Sequence, residues 1–215
     1  MKQKYTLFIV WLCAWFWGLC PQMVCAKSKN SIPDSLQVLH FQVGDVEFTM
    51  QRVEGGVFVM GGTREQHRER IASDLPAHTV SLDAYYIATT EVTQALWQAV
   101  MKGWYVSDEW NTPSQPITDV NWFDCQEFIR RLDSITGMPF RLPTEAEWEF
   151  AARGGNKSKG YRFAGSDRVE DVGWSLSNAG FRKHSVGEKK PNELGLYDMT
   201  GNVSEWCSDW YGMYY

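Results

Sequence analysis

The second half of the chain shows no helical or strand periodicity, and this feature constrains the fold more than any other. From Gly155 to Tyr215 the sequence contains many Gly, Asn, Ser and Pro residues between scattered aromatics. Long irregular segments in a compact domain need aromatic side chains, a disulfide or a metal ion to order them. The 215 residues include 11 tryptophans. We therefore expect a loop-rich domain, in which a metal site is worth seeking.

Composition narrows the class of protein. The chain is 44% hydrophobic and 22% charged, which is typical of a globular protein and argues against intrinsic disorder. The formal net charge is −5. An acidic balance gives no support to sequence-independent binding of DNA or RNA, which needs a basic face. The length and the absence of internal repeats favour one domain.

The first half carries the regular elements. Alternating apolar residues predict strands within Leu36–Met60 and Thr79–Ile87. Helices are predicted at about Glu91–Met101, at about Trp122–Ile135 with Gly137 as its stop, and from Thr144 to Gly154. The regular elements of the first half are thus a mixture of strands and helices.

The third helix has the clearest start signal. Thr144 and Glu147 form a capping box, in which each side chain satisfies the other's orphan backbone N–H. Glu149 is placed to pair with Arg153 at i,i+4, and Arg141 is expected to anchor a buried carboxylate or backbone carbonyls. We interpret this acidic run as structural rather than as general acid–base machinery.

Residues 1–26 are predicted to be a signal peptide. Two lysines precede the uncharged, mostly apolar run Tyr5–Cys20, and compact residues at Val24 and Ala26 suit cleavage before Lys27. An uncleaved anchor and lipoprotein processing remain alternatives. Residues 27–35 are a flexible lead-in, and 36–215 form the domain. The predicted location is secreted or periplasmic, at the cell envelope.

Two cysteines remain after removal of the leader. Cys125 lies in a predicted helix and Cys207 directly follows Trp206. In an oxidising compartment they form a disulfide if their Cα atoms lie within reach, and otherwise they stay as two free thiols. Their spacing matches no zinc site.

Several long motifs together resemble one family, the formylglycine-generating enzymes or sulfatase-modifying factors. The resemblance covers about Gly55 to Tyr211, and its most specific parts are the strings FRLPTEAEWE at 140–149 and PNELGLYDMTGNVSEW at 191–206. Further matching segments are EVT at 91–93, PITDVNW at 116–122, AARGG at 151–155 and HSVG at 184–187. The resemblance implies a C-type-lectin-like α+β fold that is loop-rich and low in regular secondary structure.

The family's enzymes convert a sulfatase cysteine to formylglycine with molecular oxygen and a copper ion held by two cysteines. That pair follows an Arg-Gly-Gly-Ser-like segment well downstream of the Gly-Asn-Val-x-Glu-Trp motif, and neither Cys125 nor Cys207 occupies a matching position. We predict no catalytic residue and no copper, and a domain lacking its C-terminal part. The expected function is an exported, non-catalytic module that binds or assembles proteins or peptides of the cell envelope. One alternative is a truncated form of the copper- and oxygen-dependent oxidase, with a sulfatase as partner. The other is a degenerate or fragmentary product without independent function.

The resemblance also implies one structural calcium site. Its four positions in this sequence are Asp198, Gly201, Val203 and Glu205, with two carboxylates and two backbone carbonyls as ligands. The alternative is a simple turn, in which Asp198 caps locally and Glu205 pairs with an arginine. A second family calcium site has only Asn178 as a weak candidate here.

Six tryptophans of the domain are interpreted as buried core residues in a fold with little β-sheet. They are Trp97, Trp122, Trp148, Trp174, Trp206 and Trp210. Some of them could instead line a groove for an extended peptide, since the family's enzymes bind such a segment. The sequence does not separate the two uses, and the core is favoured.

Overall fold

The computed structural model describes residues 13–14, 36–63, 76–103 and 112–212. Within them it has seven strands: β1 (Cys13–Ala14), β2 (Val38–Val43), β3 (Val46–Val53), β4 (Gly56–Met60), β5 (His78–Leu82), β6 (Tyr85–Ala88) and β7 (Phe140–Arg141). The helices are α1 (Gln94–Met101), α2 (Trp122–Thr136), α3 (Glu145–Ala152) and α4 (Val169–Val172), with a 3₁₀ turn at Gly155–Lys157. This mixture of elements confirms the α+β class.

The strands form two antiparallel sheets. The larger sheet has the order β2-β3-β6-β1-β7, and β4 and β5 make the smaller one. The predicted strand Thr79–Ile87 is therefore wrong as a single element. The chain breaks at Asp83–Ala84, and the two halves join different sheets, because β5 pairs with β4 while β6 pairs with β3.

Helix α1 begins three residues later than the pattern predicted. Thr93 is the N-cap, and its side chain accepts a hydrogen bond from the Leu96 N–H at 3.2 Å. The residues before it are extended, since the Val92 carbonyl accepts from Ile117 N–H at 2.9 Å. Glu91 consequently lies outside the helix, and it is almost fully buried.

The other two long helices confirm their predictions. Helix α2 ends at Gly137, whose φ of 70° gives the left-handed conformation that a C-cap glycine adopts readily. Helix α3 starts with the Thr144–Glu147 capping box, and the Arg141 guanidinium binds the Glu147 carboxylate at 2.6 and 2.7 Å. Arg153 binds Glu149 at 2.7 Å.

One core joins the larger sheet to α1, α2 and α3. Trp97 is fully buried and stacks on Phe128 with ring centroids 4.8 Å apart, which links α1 to α2. Trp122, Trp148 and Trp206 are partly buried and pack against the same cluster. The prediction fails for Trp210, which is 98% exposed, because it follows the last residues that pack against the domain.

Side-chain hydrogen bonds to the backbone replace ladders in the irregular second half. Asn192 is buried, and its amide donates to the Ala151 carbonyl at 2.7 Å. Its oxygen accepts from Leu194 N–H at 2.9 Å and from Leu196 N–H at 3.2 Å. A single amide thus fixes a loop against the end of α3, as expected for a segment without regular structure.

No helix in the described ranges has the length and apolar character needed to cross a membrane. The predicted leader, residues 1–26, and the predicted lead-in, residues 27–35, lie outside the described residues except for β1.

Candidate functional site

The segment 198–205, which we call the acidic loop, has an unusual backbone. Asp198, Gly201 and Asn202 all have positive φ, at 57°, 107° and 58°. A Cβ atom at position 201 would lie 2.1 Å from the Trp174 carbonyl oxygen, so only glycine fits there. The Trp174 carbonyl also accepts from Asn202 N–H at 2.8 Å, which holds the loop tightly against residue 174.

The two carboxylates of the acidic loop accept hydrogen bonds from different donors. Asp198 is 2% exposed, and one of its oxygens accepts from the Gly187 N–H at 2.6 Å. Its other oxygen is buried and has no hydrogen-bond partner of good geometry in the described part of the chain. Glu205 accepts from the Trp148 indole N–H at 2.9 Å. The alternative expectation, an arginine paired with Glu205, is not what the structure shows.

A third carboxylate, Glu91, joins this pair, and the sequence reasoning missed it. Glu91 is 1% exposed, and among the described residues neither of its carboxylate oxygens has a hydrogen-bond partner at bonding geometry. The sequence placed it in the first turn of a helix, where acids are ordinarily solvated. Only its position two residues before the N-cap Thr93 indicated that it precedes the helix.

The three carboxyl groups alter one another's protonation. Burial, and then the nearby charges of Asp198 and Glu205, raise the pKa of Glu91 well above its ordinary value. Burial likewise raises the pKa of Asp198, against the opposing hydrogen bond from Gly187. Burial and the charge of Asp198 raise the pKa of Glu205. The arrangement therefore favours neutral carboxyl groups unless a cation compensates their negative charge.

No cationic side chain compensates this charge in the described part of the chain. None of its ion pairs includes Glu91, Asp198 or Glu205. Nor do three His, Cys, Asp or Glu side chains of that part group closely enough to bind a metal ion by themselves. A bound cation would thus need backbone carbonyls as further ligands. The hard-oxygen chemistry and the orphaned oxygen of Asp198 fit Ca²⁺.

The acidic loop forms one wall of an open cleft of about 1440 Å³. Gly201, Val203 and Glu205, three of the four predicted calcium ligands, line it, while Asp198 lies buried behind them. The structure thus brings the predicted residues together along one loop. The position of the cleft was not predictable, because its walls come from segments between residues 112 and 207.

The mouth of the cleft carries exposed apolar side chains. Leu176 is 84% exposed and Phe181 is 91% exposed, and both line the cleft together with Trp148 and Trp174. Phe181 also has a φ of 59°, which is rare for a bulky residue and marks a strained position. Exposed apolar side chains around a concave surface are typical of a binding site.

Two side chains, His184 and Lys189, pack against the indole ring of Trp174. The His184 ring stacks on it with centroids 3.6 Å apart, and the Lys189 ammonium lies 3.8 Å from the ring centroid. The His184 backbone N–H donates to the Asn202 side chain at 3.0 Å. The cleft wall is therefore coupled directly to the acidic loop.

Neither cysteine is suited to bind a soft metal. Cys125 is fully buried in α2, Cys207 lines the cleft, and both thiols are free. Burial raises the pKa of each thiol, and the charge of Glu205 adds to the effect at Cys207. Since copper(I) binds thiolate, the residues described do not fit the family's copper site.

Asn178, the weak candidate for a second calcium site, serves a turn. Its side-chain oxygen accepts from Ser175 N–H at 2.6 Å, and its amide donates to the Gly173 carbonyl at 3.0 Å. The Asn178 side-chain oxygen, which a cation would need as a ligand, therefore already accepts a hydrogen bond.

Comparison with known proteins identifies the family. The family model described as "Sulfatase-modifying factor enzyme 1-like domain" matches residues 43–215. The chain belongs to this family, which confirms the resemblance found in the sequence.

The names of the relatives describe different functions. The chain is 30% identical over 209 residues to "Chaperone protein LppX" of Paenibacillus barcinonensis, a match that covers 74% of this chain and 70% of that protein. It is 29% identical over 229 residues to the formylglycine-generating enzyme of Streptomyces coelicolor, covering 76% and 69%. Among solved structures, "Treponema denticola variable protein 1" superposes with a TM-score of 0.67 at 32% identity, covering 82% of this chain and 78% of that one. This similarity confirms the expected fold.

Proposed function

We propose that this protein is an exported, non-catalytic module of the cell envelope that holds an extended segment of a partner protein in the open cleft. The observation that carries the proposal is the pair of exposed apolar side chains, Leu176 and Phe181, at the mouth of a cleft with aromatic walls. An extended peptide would place its side chains against these surfaces and against Trp148 and Trp174. The relative named as a chaperone supports a binding role.

We further propose that the acidic loop binds a structural Ca²⁺ ion. Asp198 and Glu205 supply carboxylate oxygens, and Gly201 and Val203 supply backbone carbonyls. The buried, unpartnered oxygens of Glu91 and Asp198 support the proposal, since an uncompensated buried charge is costly. Glu91 adds negative charge to the site and so strengthens its preference for a divalent cation. Calcium would thereby fix the loop that forms one cleft wall.

The second candidate is the formylglycine-generating oxidase. The formylglycine-generating enzyme among the relatives, at 29% identity, favours it. Against it stand the two thiols, whose raised pKa values oppose thiolate formation. An assay with a cysteine-containing sulfatase peptide, copper and oxygen separates the two functions, and we expect no conversion of the cysteine to the aldehyde.

Peptide binding tests the proposed function. An array of extended peptides from exported proteins is probed with the protein, and the affinity of the best binder is measured by fluorescence anisotropy. Phe181→Asp places a charge at the cleft mouth, and we expect it to weaken binding at least tenfold. Phe123→Asp is the matched control, because Phe123 is also highly exposed but does not line the cleft.

Equal loss of affinity in both variants would contradict the proposal, because it would show non-specific apolar adhesion. Absence of any peptide binder, together with conversion of the sulfatase peptide, would favour the oxidase.

A further inference from the structure

One peptide group of the acidic loop connects the proposed calcium site to the wall of the cleft. The carbonyl of Gly201 is a proposed calcium ligand, and it shares its peptide bond with the N–H of Asn202. That N–H donates to the Trp174 carbonyl at 2.8 Å. Because peptide groups are planar and almost always trans, their C=O and N–H point in opposite directions. The carbonyl offered to the ion and the hydrogen bond to Trp174 are therefore fixed relative to each other.

The side chain of Asn202 makes two further hydrogen bonds to the same wall. Its oxygen accepts from the His184 N–H at 3.0 Å, and its amide donates to the His184 carbonyl at 3.3 Å. Trp174 and His184 both line the cleft. Asn202 has a φ of 58°, a conformation that Asn adopts more readily than most other residues. This one residue thus joins the acidic loop to the cleft wall by three hydrogen bonds.

The loop and the wall are packed too closely to move independently. A Cβ atom at position 201 would lie only 2.1 Å from the Trp174 carbonyl oxygen. The His184 ring and the Lys189 ammonium pack against the Trp174 ring, at 3.6 Å and 3.8 Å from its centroid. Closely packed groups transmit a displacement to their neighbours. A change in the backbone of residues 201–203 therefore reaches the surface that Trp174 and His184 present to the cleft.

We propose that binding of Ca²⁺ at the acidic loop and binding of the partner segment in the cleft are reciprocally coupled, with Asn202 as the positioning residue that links them. This inference rests on the proposed function and adds its regulation. Two sites are coupled when each ligand changes the affinity of the other, and both changes are then the same factor. The protein would hold its partner where Ca²⁺ is present and release it where Ca²⁺ is removed.

The ion acts through the two carbonyls that flank Asn202. Gly201 and Val203 are their proposed donors, and bound Ca²⁺ makes both carbonyls converge on one point. This restricts the Asn202 backbone and so orders Trp174 and His184. A partner segment then binds a wall that is already ordered and loses less conformational entropy. We expect a coupling of about tenfold, which lies within the usual range for coupled sites.

The experiment measures both affinities in one thermodynamic cycle. The best peptide binder from the array is labelled, and its affinity is measured by anisotropy in a chelator and in saturating Ca²⁺. Calcium alone is titrated by calorimetry, with and without that peptide. Hydrogen exchange of residues 174–184 in both buffers reports the order of the wall without peptide.

Two glycine variants separate coupling from folding. Asn202→Gly removes both side-chain bonds to His184, but it keeps the backbone N–H and tolerates the positive φ. Lys102→Gly is the matched control, because Lys102 also has a positive φ, of 37°, and does not line the cleft. Asn202→Asp is the conservative variant, since its carboxylate still accepts from the His184 N–H and Asp also tolerates this conformation.

We expect Ca²⁺ to tighten peptide binding about tenfold in the unmodified protein and in Lys102→Gly, and the peptide to tighten Ca²⁺ binding by the same factor. Calcium should also slow exchange in residues 174–184. Asn202→Gly should still bind both ligands, with a coupling below about twofold, and Asn202→Asp should retain part of it. A variant that merely destabilises the fold would not separate the coupling from the two affinities in this way.

Equal peptide affinity in chelator and in Ca²⁺ would overturn the proposal, as would undiminished coupling in Asn202→Gly. If Asn202→Gly does not fold, coupling in Asn202→Asp as strong as in the unmodified protein would overturn the role of Asn202. Peptide binding that ignores Ca²⁺ overturns the coupling alone. Absence of peptide binding in both buffers overturns the proposed function and the coupling together.

Discussion

Two buried glutamates in this protein have opposite surroundings. Glu147 at the start of α3 receives two hydrogen bonds from Arg141 and completes the capping box with Thr144. Glu91, only 1% exposed, has no hydrogen bond of good geometry to either oxygen among the described residues, and the charges of two more carboxylates act on it. The first arrangement is complete within the chain and serves the fold. The second is incomplete within the described part of the chain, and the proposed cation would complete it.

The largest expected loss of stability comes from breaking the Arg141–Glu147 pair. Glu147→Ala removes the carboxylate and leaves the Arg141 guanidinium largely buried without its counter-ion. We expect a loss of about 3 kcal/mol in the free energy of unfolding, as for other pairs of this kind that lose one partner. Denaturant unfolding followed by fluorescence measures it. Glu147→Gln keeps part of the cap and should lose less, and a loss equal to that of alanine would contradict this account of the cap.

The incomplete arrangement should make the cation-free protein sensitive to pH. The folded-state pKa values of Glu91, Asp198 and Glu205 are raised above their ordinary values. Their contribution to stability is therefore full below the ordinary pKa values and is lost as pH rises through the folded-state values. Without divalent cations we expect stability to fall as pH rises above the ordinary carboxyl range, and to fall less with Ca²⁺. Thermal unfolding across this pH range, in a chelator and in Ca²⁺, measures the difference. The same fall with and without Ca²⁺ would contradict this prediction.

Glu91→Gln is expected to have a smaller effect, which is favourable without cations and unfavourable for calcium binding. Without cations the substitution removes a buried carboxyl group whose charged form burial disfavours, and we expect it to stabilise the protein by about 1 kcal/mol. With Ca²⁺ the same variant should bind the ion about tenfold more weakly, because the site loses one negative charge. Thermal unfolding in a chelator and calorimetric titration measure the two effects. Destabilisation of the cation-free protein would show that the Glu91 carboxylate has a partner within the chain.

The smallest effect is expected at a solvated acidic group. Hydrogen bonds from Arg130 and Arg131 lower the pKa of Glu127 to about 2, but all three side chains are substantially exposed. Water and salt screen such pairs. We expect Glu127→Gln to leave the denaturation midpoint unchanged within error at neutral pH. A clear destabilisation would mean that exposure is a poor guide to which carboxylates matter in this protein.

The contrast between the two glutamates also explains what the sequence could predict. Helices α2 and α3 were predictable because their signals are local: a capping box precedes α3 and Gly137 follows α2. The Arg141–Glu147 pair needed only a short stretch of chain. The family resemblance implied the set Asp198, Gly201, Val203 and Glu205 from one continuous motif, and calcium binding by these residues stays a prediction.

Long-range contacts account for the rest. Glu91 meets the acidic loop from a distant part of the chain, and a local pattern assigned it to a helix. Trp210 and Trp97 are the same residue type, yet one is exposed and the other fully buried, because packing partners far along the chain decide burial. The cleft is lined by segments that are far apart in the sequence, so no short stretch of the chain could predict it.

Calcium titration tests the central claim most directly, namely that the acidic loop is completed by a cation. Thermal unfolding is recorded in a chelator and then with Ca²⁺ in excess, with Mg²⁺ as the control for ionic strength. At about one hundred times the dissociation constant, binding adds about 2.7 kcal/mol, which raises the midpoint by roughly 5 to 10 °C for a chain of this size. We predict a rise of this order with Ca²⁺ and a smaller one with Mg²⁺. An unchanged midpoint at millimolar Ca²⁺ would contradict the account.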